Sequence, residues 1–182
     1  MEVLNHTNKI WTISNFLTSR ECDDLIIFSE QKGYVEADVG LISGSKMMKN
    51  VRDNYRFIYD DPKLAADLGV KFLLNENLIV DGLGPLYLNE RFRFYRYEPG
   101  QRFKRHIDGR FRKNEKEESR VTFMIYLNDD YLGGETKFNN VLINPEKGMA
   151  LCFIHEQKHE SLPIIEGTKY VLRSDIIYNR IR

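Results

Sequence analysis

Two hydrophobic rhythms run along the chain and divide it near residue 86. In the first part apolar residues recur at helical spacing in two places. Leu25, Ile26 and Phe28 follow Thr18-Ser-Arg-Glu21. Thr at the N-cap with Glu three positions on is a capping box, and Gly33 offers a stop. A helix over about residues 19–31 is expected. Pro62 suits the first turn of a second helix. Leu64, Ala65, Leu68, Phe72 and Leu73 form its apolar face, with Asn75 near its end. Short strands are expected at Ile10–Ile13 and Asn54–Ile58. Asp81-Gly-Leu-Gly-Pro85 reads as a loop. Residues 35–51, with two glycines and a Lys/Met cluster at 46–49, fit neither rhythm.

From residue 86 the period shortens to two, the repeat of a strand. Strand-like runs cover Phe92–Tyr97, Arg120–Leu127, Glu135–Phe138, Val141–Ile143, Met149–Ile154 and Tyr170–Tyr178. Asn128-Asp-Asp, Gly133-Gly134, Asn139-Asn140 and Pro145–Gly148 punctuate them as turns. Helices first and many short strands after predict an α+β fold with a sandwich or jelly roll in its second half. The 182 residues suit a single domain. In this division residues 1–85 are helical support with edge strands and residues 86–182 are the core.

Composition then removes several classes of function. Lys plus Arg and Asp plus Glu both number 27, so no net field draws the chain to nucleic acid. No apolar run approaches the ~18 residues of a membrane helix, and the amino terminus lacks the features of a signal peptide. Cys22 and Cys152 are far apart, and Cys152 sits in the apolar run Ala150–Ile154. A disulfide framework is not expected, and a cytoplasmic location is. Residues 109–119 are a charge run, Gly-Arg-Phe-Arg-Lys-Asn-Glu-Lys-Glu-Glu-Ser, read either as a solvated loop or as a lid.

The candidate chemistry lies at His106-Ile-Asp108. On a strand, residues two apart share a face, so the imidazole and the carboxylate can aim at one point. A distant His would complete a two-His, one-carboxylate set, which suits Fe(II) and leaves coordination positions open. The chain has four His, and His155 or His159 must supply that third donor. Lys169 lies ten residues past His159 on a strand, where a buried cation needs an anionic partner. By parity Arg93, Tyr95 and Tyr97 share one face. Thr122, Met124 and Tyr126 share another, and Lys169, Val171, Arg173 and Asp175 a third.

Arg96-Tyr-Glu-Pro-Gly-Gln-Arg-Phe-Lys-Arg-His-Ile-Asp108, Val121–Asn128, Gly133-Gly-Glu-Thr136, His159, Gly167-Thr-Lys-Tyr170 and Arg173-Ser-Asp175 occur in that order. In order and spacing they resemble the prolyl 4-hydroxylase-like branch of the Fe(II)/2-oxoglutarate dioxygenases, over roughly residues 90–182. The resemblance implies a double-stranded β-helix core. It implies that His106, Asp108 and His159 ligate Fe(II), and that Lys169 holds the far carboxylate of 2-oxoglutarate. Tyr97, Thr122 and Tyr126 would line the co-substrate pocket. It further implies hydroxylation of a peptidyl (prolyl-like) or amino-acid-like substrate with dioxygen as oxidant, release of succinate and carbon dioxide, and ascorbate as a candidate reductant. Asp108 favours hydroxylation over halogenation, since related halogenases lack this carboxylate. Arg173 and Asp175 depart from the branch, which often has an uncharged residue and a Trp there. Arg173 could add a contact to 2-oxoglutarate, bind an acidic group of the substrate, or pair with Asp175. Tyr95, Arg110 and Asp175 are candidate substrate contacts.

His155-Glu156-Gln-Lys-His159 also spells H-E-x-x-H, the zinc-hydrolase pattern. That chemistry needs a helix, so that both imidazoles share a face and Glu156 acts as base. A strand running to Ile154 and a proline at 163 argue against one. A jelly-roll binding module without turnover is the remaining alternative.

Overall fold

The structure, a computed structural model, describes residues 1–37, 39–41, 44–46, 53–73 and 78–180. A hairpin opens the chain, β1 (Glu2–Thr7) and β2 (Ile10–Ser14), and helix α1 (Ser19–Lys32) follows. The Thr18 hydroxyl accepts from the Glu21 N–H, and a Glu21 carboxylate oxygen accepts from the Thr18 N–H at 2.7 Å. That reciprocal pair satisfies two of the helix's orphan donors, and Gly33 ends the helix at φ +83°. Short strands β3 (Val35–Glu36), β4 (Val39–Leu41) and β5 (Gly44–Lys46) precede β6 (Tyr55–Asp60) and helix α2 (Pro62–Leu73). The remainder is β: β7 (Pro85–Leu88), β8 (Arg91–Tyr97), β9 (Phe103–His106), β10 (Glu117–Tyr126), β11 (Leu132–Gly133), β12 (Thr136–Lys137), β13 (Leu142–Ile143), β14 (Ala150–Ile154), β15 (His159–Ser161), β16 (Ile164–Glu166) and β17 (Lys169–Asn179).

The strands form two main layers. The larger sheet runs β1-β2-β14-β10-β17-β8-β6-β3, with β7 pairing further along β17. The smaller runs β13-β12-β15-β9, and β11 and β16 form a separate ribbon. All these pairs are antiparallel. The architecture is an α+β fold around a double-stranded β-helix, or jelly roll. The period-two rhythm explains how its layers are filled. On β8, β10 and β17 the residues Phe94, Phe123 and Leu172 face outward, into a core shared with Trp11, Phe16 and Ala65. The intervening Tyr95, Tyr97, Tyr126 and Val171 face the other way, towards Phe138, Ile143 and Phe153. The helices therefore cover one face of the large sheet and leave its opposite face for the site.

The predicted elements lie close to those observed, with ends shifted by a few residues. Strands β1 and β7 have no strong alternation in the sequence and were not expected. Asn75, the side chains of Phe72 and Leu73, and much of the ambiguous stretch 35–51 fall outside the described residues. No helix among the described residues is long and apolar enough to cross a membrane.

Candidate metal centre

Two short strands of the small sheet carry the imidazoles. His106 ends β9, His159 begins β15, and the two are direct cross-strand partners. Opposite residues of an antiparallel pair bring their side chains side by side, and here the ring centroids are 4.3 Å apart. Phe103 stacks on the His106 ring at 3.6 Å, and Phe153 packs edge-on to His159 at 4.5 Å. Asp108 departs from expectation, because β9 stops at His106 and the carboxylate arrives from the loop beyond it. Strand parity therefore does not place it; partners on the facing sheet do. Thr122 of β10 donates to Asp108 Oδ2 at 2.6 Å, and Arg173 of β17 lies 3.1 Å from the same oxygen.

His106 Nε2 lies 3.6 Å from Asp108 Oδ1, and His159 Nε2 lies 3.8 Å from Oδ2. One donor atom from each of the three residues falls within 4.8 Å of the others. The protonation pattern suits a metal. His106 Nδ1 contacts the Lys104 carbonyl at 2.8 Å, and His159 Nδ1 contacts the Gln157 carbonyl at 2.9 Å. A carbonyl only accepts, so each Nδ1 carries a proton and it is Nε2 of each ring that is turned towards Asp108. Burial lowers the His159 pKa to about 4, outweighing the pull of Asp108, so this imidazole is neutral near pH 7. Burial alone would raise the Asp108 carboxyl, but the Arg173 guanidinium beside it holds it well below the usual carboxylate range. The three residues thus offer two imidazole nitrogens and one anionic oxygen, a donor set that fits Fe(II).

A cavity of about 470 Å³ opens beside these donors. Lys169 lies in its wall, 1 % exposed. Its ammonium donates to the Gly134 carbonyl and to Ser161 Oγ, the latter at 3.2 Å. It lies 5.5 and 5.3 Å from the Tyr97 and Tyr126 ring centroids. Among the described residues no carboxylate stands within ion-pair distance, and burial lowers its pKa to about 7. A buried lysine left with neutral acceptors is costly unless an anion arrives. This end of the cavity suits a ligand carboxylate.

The other predicted residues divide between the two ends. Tyr97 lines the cavity near Lys169, while the Tyr126 hydroxyl is hydrogen-bonded to Thr136 at 2.7 Å. Arg173 is four residues along β17 from Lys169, about 13 Å at strand rise. Its guanidinium bonds Asp108 and Asp175, each at 3.1 Å, and Arg93 takes the second Asp175 oxygen at 3.2 Å. The ion pair of Arg173 with Asp175 is thus formed. Tyr95, Arg110 and Asp175 all line the cavity. Arg110 is tied outward to Glu156 at 3.0 Å and to Glu118 at 2.9 Å. Gly109, Arg110 and Phe111, the start of the charged run, form part of the wall, and the run then folds back into β10.

The H-E-x-x-H pattern has no helix beneath it. His155 and Glu156 form a turn, and His159 starts a strand. His155 is not one of the clustered donors; its ring nitrogens contact Thr122 and Ser119. Glu156, which a hydrolase would need as its base, is paired with Arg110. Sequence reasoning missed Ser161, Gly134 and Phe103. Ser161 had a findable signal, lying two residues after His159 on the same strand. The Gly134 carbonyl meets Lys169 of the distant β17 and left none, and Phe103 stacks on His106 from three residues earlier on β9 itself, outside the period-two pattern.

Residues 92–174 match the family model of the 2OG-Fe(II) oxygenase superfamily. Prolyl 4-hydroxylase 13 of Arabidopsis thaliana is 23 % identical over 198 residues, spanning 92 % of this chain and 70 % of that protein. Among solved structures, the viral collagen prolyl hydroxylase of Paramecium Bursaria Chlorella virus-1, in its 2OG complex, superposes with a TM-score of 0.65. It is 24 % identical, over 93 % of this chain and 96 % of the other. A Trichoplax adhaerens prolyl hydroxylase, bound to a hypoxia inducible factor oxygen degradation domain peptide fragment, gives a TM-score of 0.69. Its identity is 21 %, over 95 % and 84 % of the two chains. Residues 92–174 thus carry the sequence pattern of a 2OG-Fe(II) oxygenase, and over most of its length the chain is similar to prolyl hydroxylases. Members of that superfamily use Fe(II), 2-oxoglutarate and dioxygen.

Proposed function

We propose that this oxygenase hydroxylates a C–H bond of a peptidyl, prolyl-like or amino-acid-like substrate and releases succinate and carbon dioxide. The observation that carries the reading is one cavity holding two imidazole nitrogens, one carboxylate and a buried lysine with no carboxylate within ion-pair distance among the described residues. In this reading His106, Asp108 and His159 hold Fe(II). Lys169 binds the far carboxylate of 2-oxoglutarate by a charge-assisted bond. Tyr97 shapes that end of the pocket, while Tyr126, held by Thr136, backs it. Fe(II) with 2-oxoglutarate supplies oxidising power from dioxygen, one oxygen atom ending in succinate and the other in the substrate hydroxyl. The protein's part is geometry and dryness. Aromatic packing orients both imidazole planes, and His159 is buried beneath it. Thr122 and Arg173 hold Asp108, and the wall of Tyr95, Arg110 and Asp175 faces the space left for substrate.

The relatives named above as prolyl hydroxylases support the prolyl-like substrate. Free, buried Cys22 and Cys152 fit a reducing cytoplasmic setting. The test is incubation with Fe(II), 2-oxoglutarate and ascorbate in air, with prolyl peptides added. Succinate formation that needs Asp108, with gain of one oxygen atom on a peptide, is the expected result. Hydrolysis that instead depends on zinc and Glu156 would reverse the reading.

A further inference from the structure

A chain of buried hydrogen bonds leaves Asp108 at Oδ2, through Thr122 to His155 and Ser119, and each link has a determined direction. The Thr122 hydroxyl donates its single proton to Asp108 Oδ2 at 2.6 Å. Thr122 Oγ1 also contacts His155 Nδ1 at 2.9 Å. With its proton committed, the hydroxyl accepts there, so Nδ1 is the protonated nitrogen of His155. A second lone pair of the hydroxyl remains for the longer Arg173 contact at 3.5 Å. Burial lowers the His155 pKa, which keeps the ring neutral and leaves Nε2 as an acceptor. The group that meets Nε2 is Ser119 Oγ at 2.9 Å, and its hydroxyl donates. Ser119 Oγ in turn accepts the Phe111 N–H at 2.7 Å. Ser119, Thr122 and His155 are 0, 0 and 1 % exposed, so water does not compete for any of these groups.

The backbone holds the same frame. The His155 N–H donates to the Arg120 carbonyl at 2.9 Å, and Ser119 N–H to the Phe111 carbonyl at 2.8 Å. Every donor in the chain has one acceptor, and only one imidazole tautomer fits. Such a network orients its end group more firmly than a single bond would.

We propose that His155, acting through Thr122, is a positioning residue that fixes the orientation of Asp108 and its strength as a metal ligand. The inference rests on the metal reading of His106, Asp108 and His159. It gives His155 a role outside the donor set and outside the zinc-hydrolase pattern in which it is spelled. It also ties the Phe111 backbone, near the start of the charged loop, to the metal carboxylate through four hydrogen bonds. Partners of metal ligands of this kind typically contribute ten- to hundredfold in metal affinity.

The test is anaerobic titration of the full chain with Co(II), reading both affinity and the ligand-field spectrum, beside thermal unfolding of the metal-free protein. His155→Leu is expected to bind Co(II) about ten- to hundredfold more weakly with a shifted band. His155→Asn, whose amide N–H can replace Nδ1–H, is expected to recover most of the loss. Thr122→Val should match His155→Leu, and the double variant should lose no more than either single, because both act along one path. Wild-type affinity and spectrum in a folded His155→Leu protein would overturn the proposal, as would additive losses in the double variant. If His155→Leu does not fold, Ser119→Ala removes only the donor to Nε2. A several-fold loss with a band shift supports the chain there, and an unchanged titration overturns it. His106→Ala separates the two readings. Unaltered Co(II) binding in that variant would sink the metal centre itself rather than the role of His155.

Discussion

Lys169 is a cation 1 % exposed, held by a carbonyl, a hydroxyl and two aromatic faces. Burial brings its pKa to about 7, and a bound carboxylate would raise it again. The sign follows from that pair of states. Only the protonated lysine attracts the carboxylate, so affinity for 2-oxoglutarate is full below pH 7. It falls as pH rises above 7, by up to tenfold per unit, until the pKa of the bound form is passed. Equilibrium dialysis with 2-oxoglutarate from pH 6 to 9 should show that slope, and Lys169→Met should flatten it. The same variant should weaken binding by on the order of 2–5 kcal/mol, the cost of leaving a buried charge unpaired. Asp108→Ala removes the one anionic donor of the set, and metal loading and succinate formation should both be lost. Residual full activity in that variant would show that the carboxylate had been misassigned.

Between residues and sheets, the site depends on where strands meet. Gly134 precedes β12 at φ +71°, and its carbonyl receives the Lys169 ammonium. A Cβ there would lie 2.4 Å from Ile164 Cδ1 and 3.2 Å from Lys169 Cδ. Gly134→Ala is therefore expected to displace Lys169 and weaken 2-oxoglutarate binding more than metal binding, as paired titrations can show. Phe123 lies on the opposite face of β10 from Thr122 and meets Phe16 edge-on at 5.2 Å. Phe123→Ala should lower the unfolding free energy by about 3–5 kcal/mol in urea, while the folded fraction keeps its metal affinity. At this scale the sequence was most readable. Period-two alternation placed Tyr95 and Tyr97, Thr122 and Met124, and Lys169 and Arg173 on the inner face, because one register choice flips a whole strand. It failed at Asp108, where strand geometry was assumed two residues past the end of β9. The carboxylate is held instead by Thr122 and Arg173, 14 and 65 residues away, and no local pattern encodes such partners.

For the whole molecule, the helices and the large sheet form one packed body, and the small sheet lies against the sheet face that the helices leave free. The site lies between the two sheets, so its chemistry is set by pairings distant in sequence. His106 meets His159 across β9 and β15, and Lys169 meets Tyr97 across β17 and β8. The residue types of the site could be read in order along the chain. Their convergence rested on family resemblance, and the hydrogen-bond directions that assign tautomers needed coordinates. Arg173 marks the boundary of that legibility. Its charge was noticeable, but its use, clamping Asp108 and Asp175 together, is a property of the assembled sheets. The most direct measurement of the central claim is an anaerobic titration of the protein with Fe(II) and then 2-oxoglutarate, followed by visible absorption. A weak metal-to-ligand band that grows to one equivalent and vanishes in Asp108→Ala is the predicted result. No band, together with tight stoichiometric zinc binding, would contradict it.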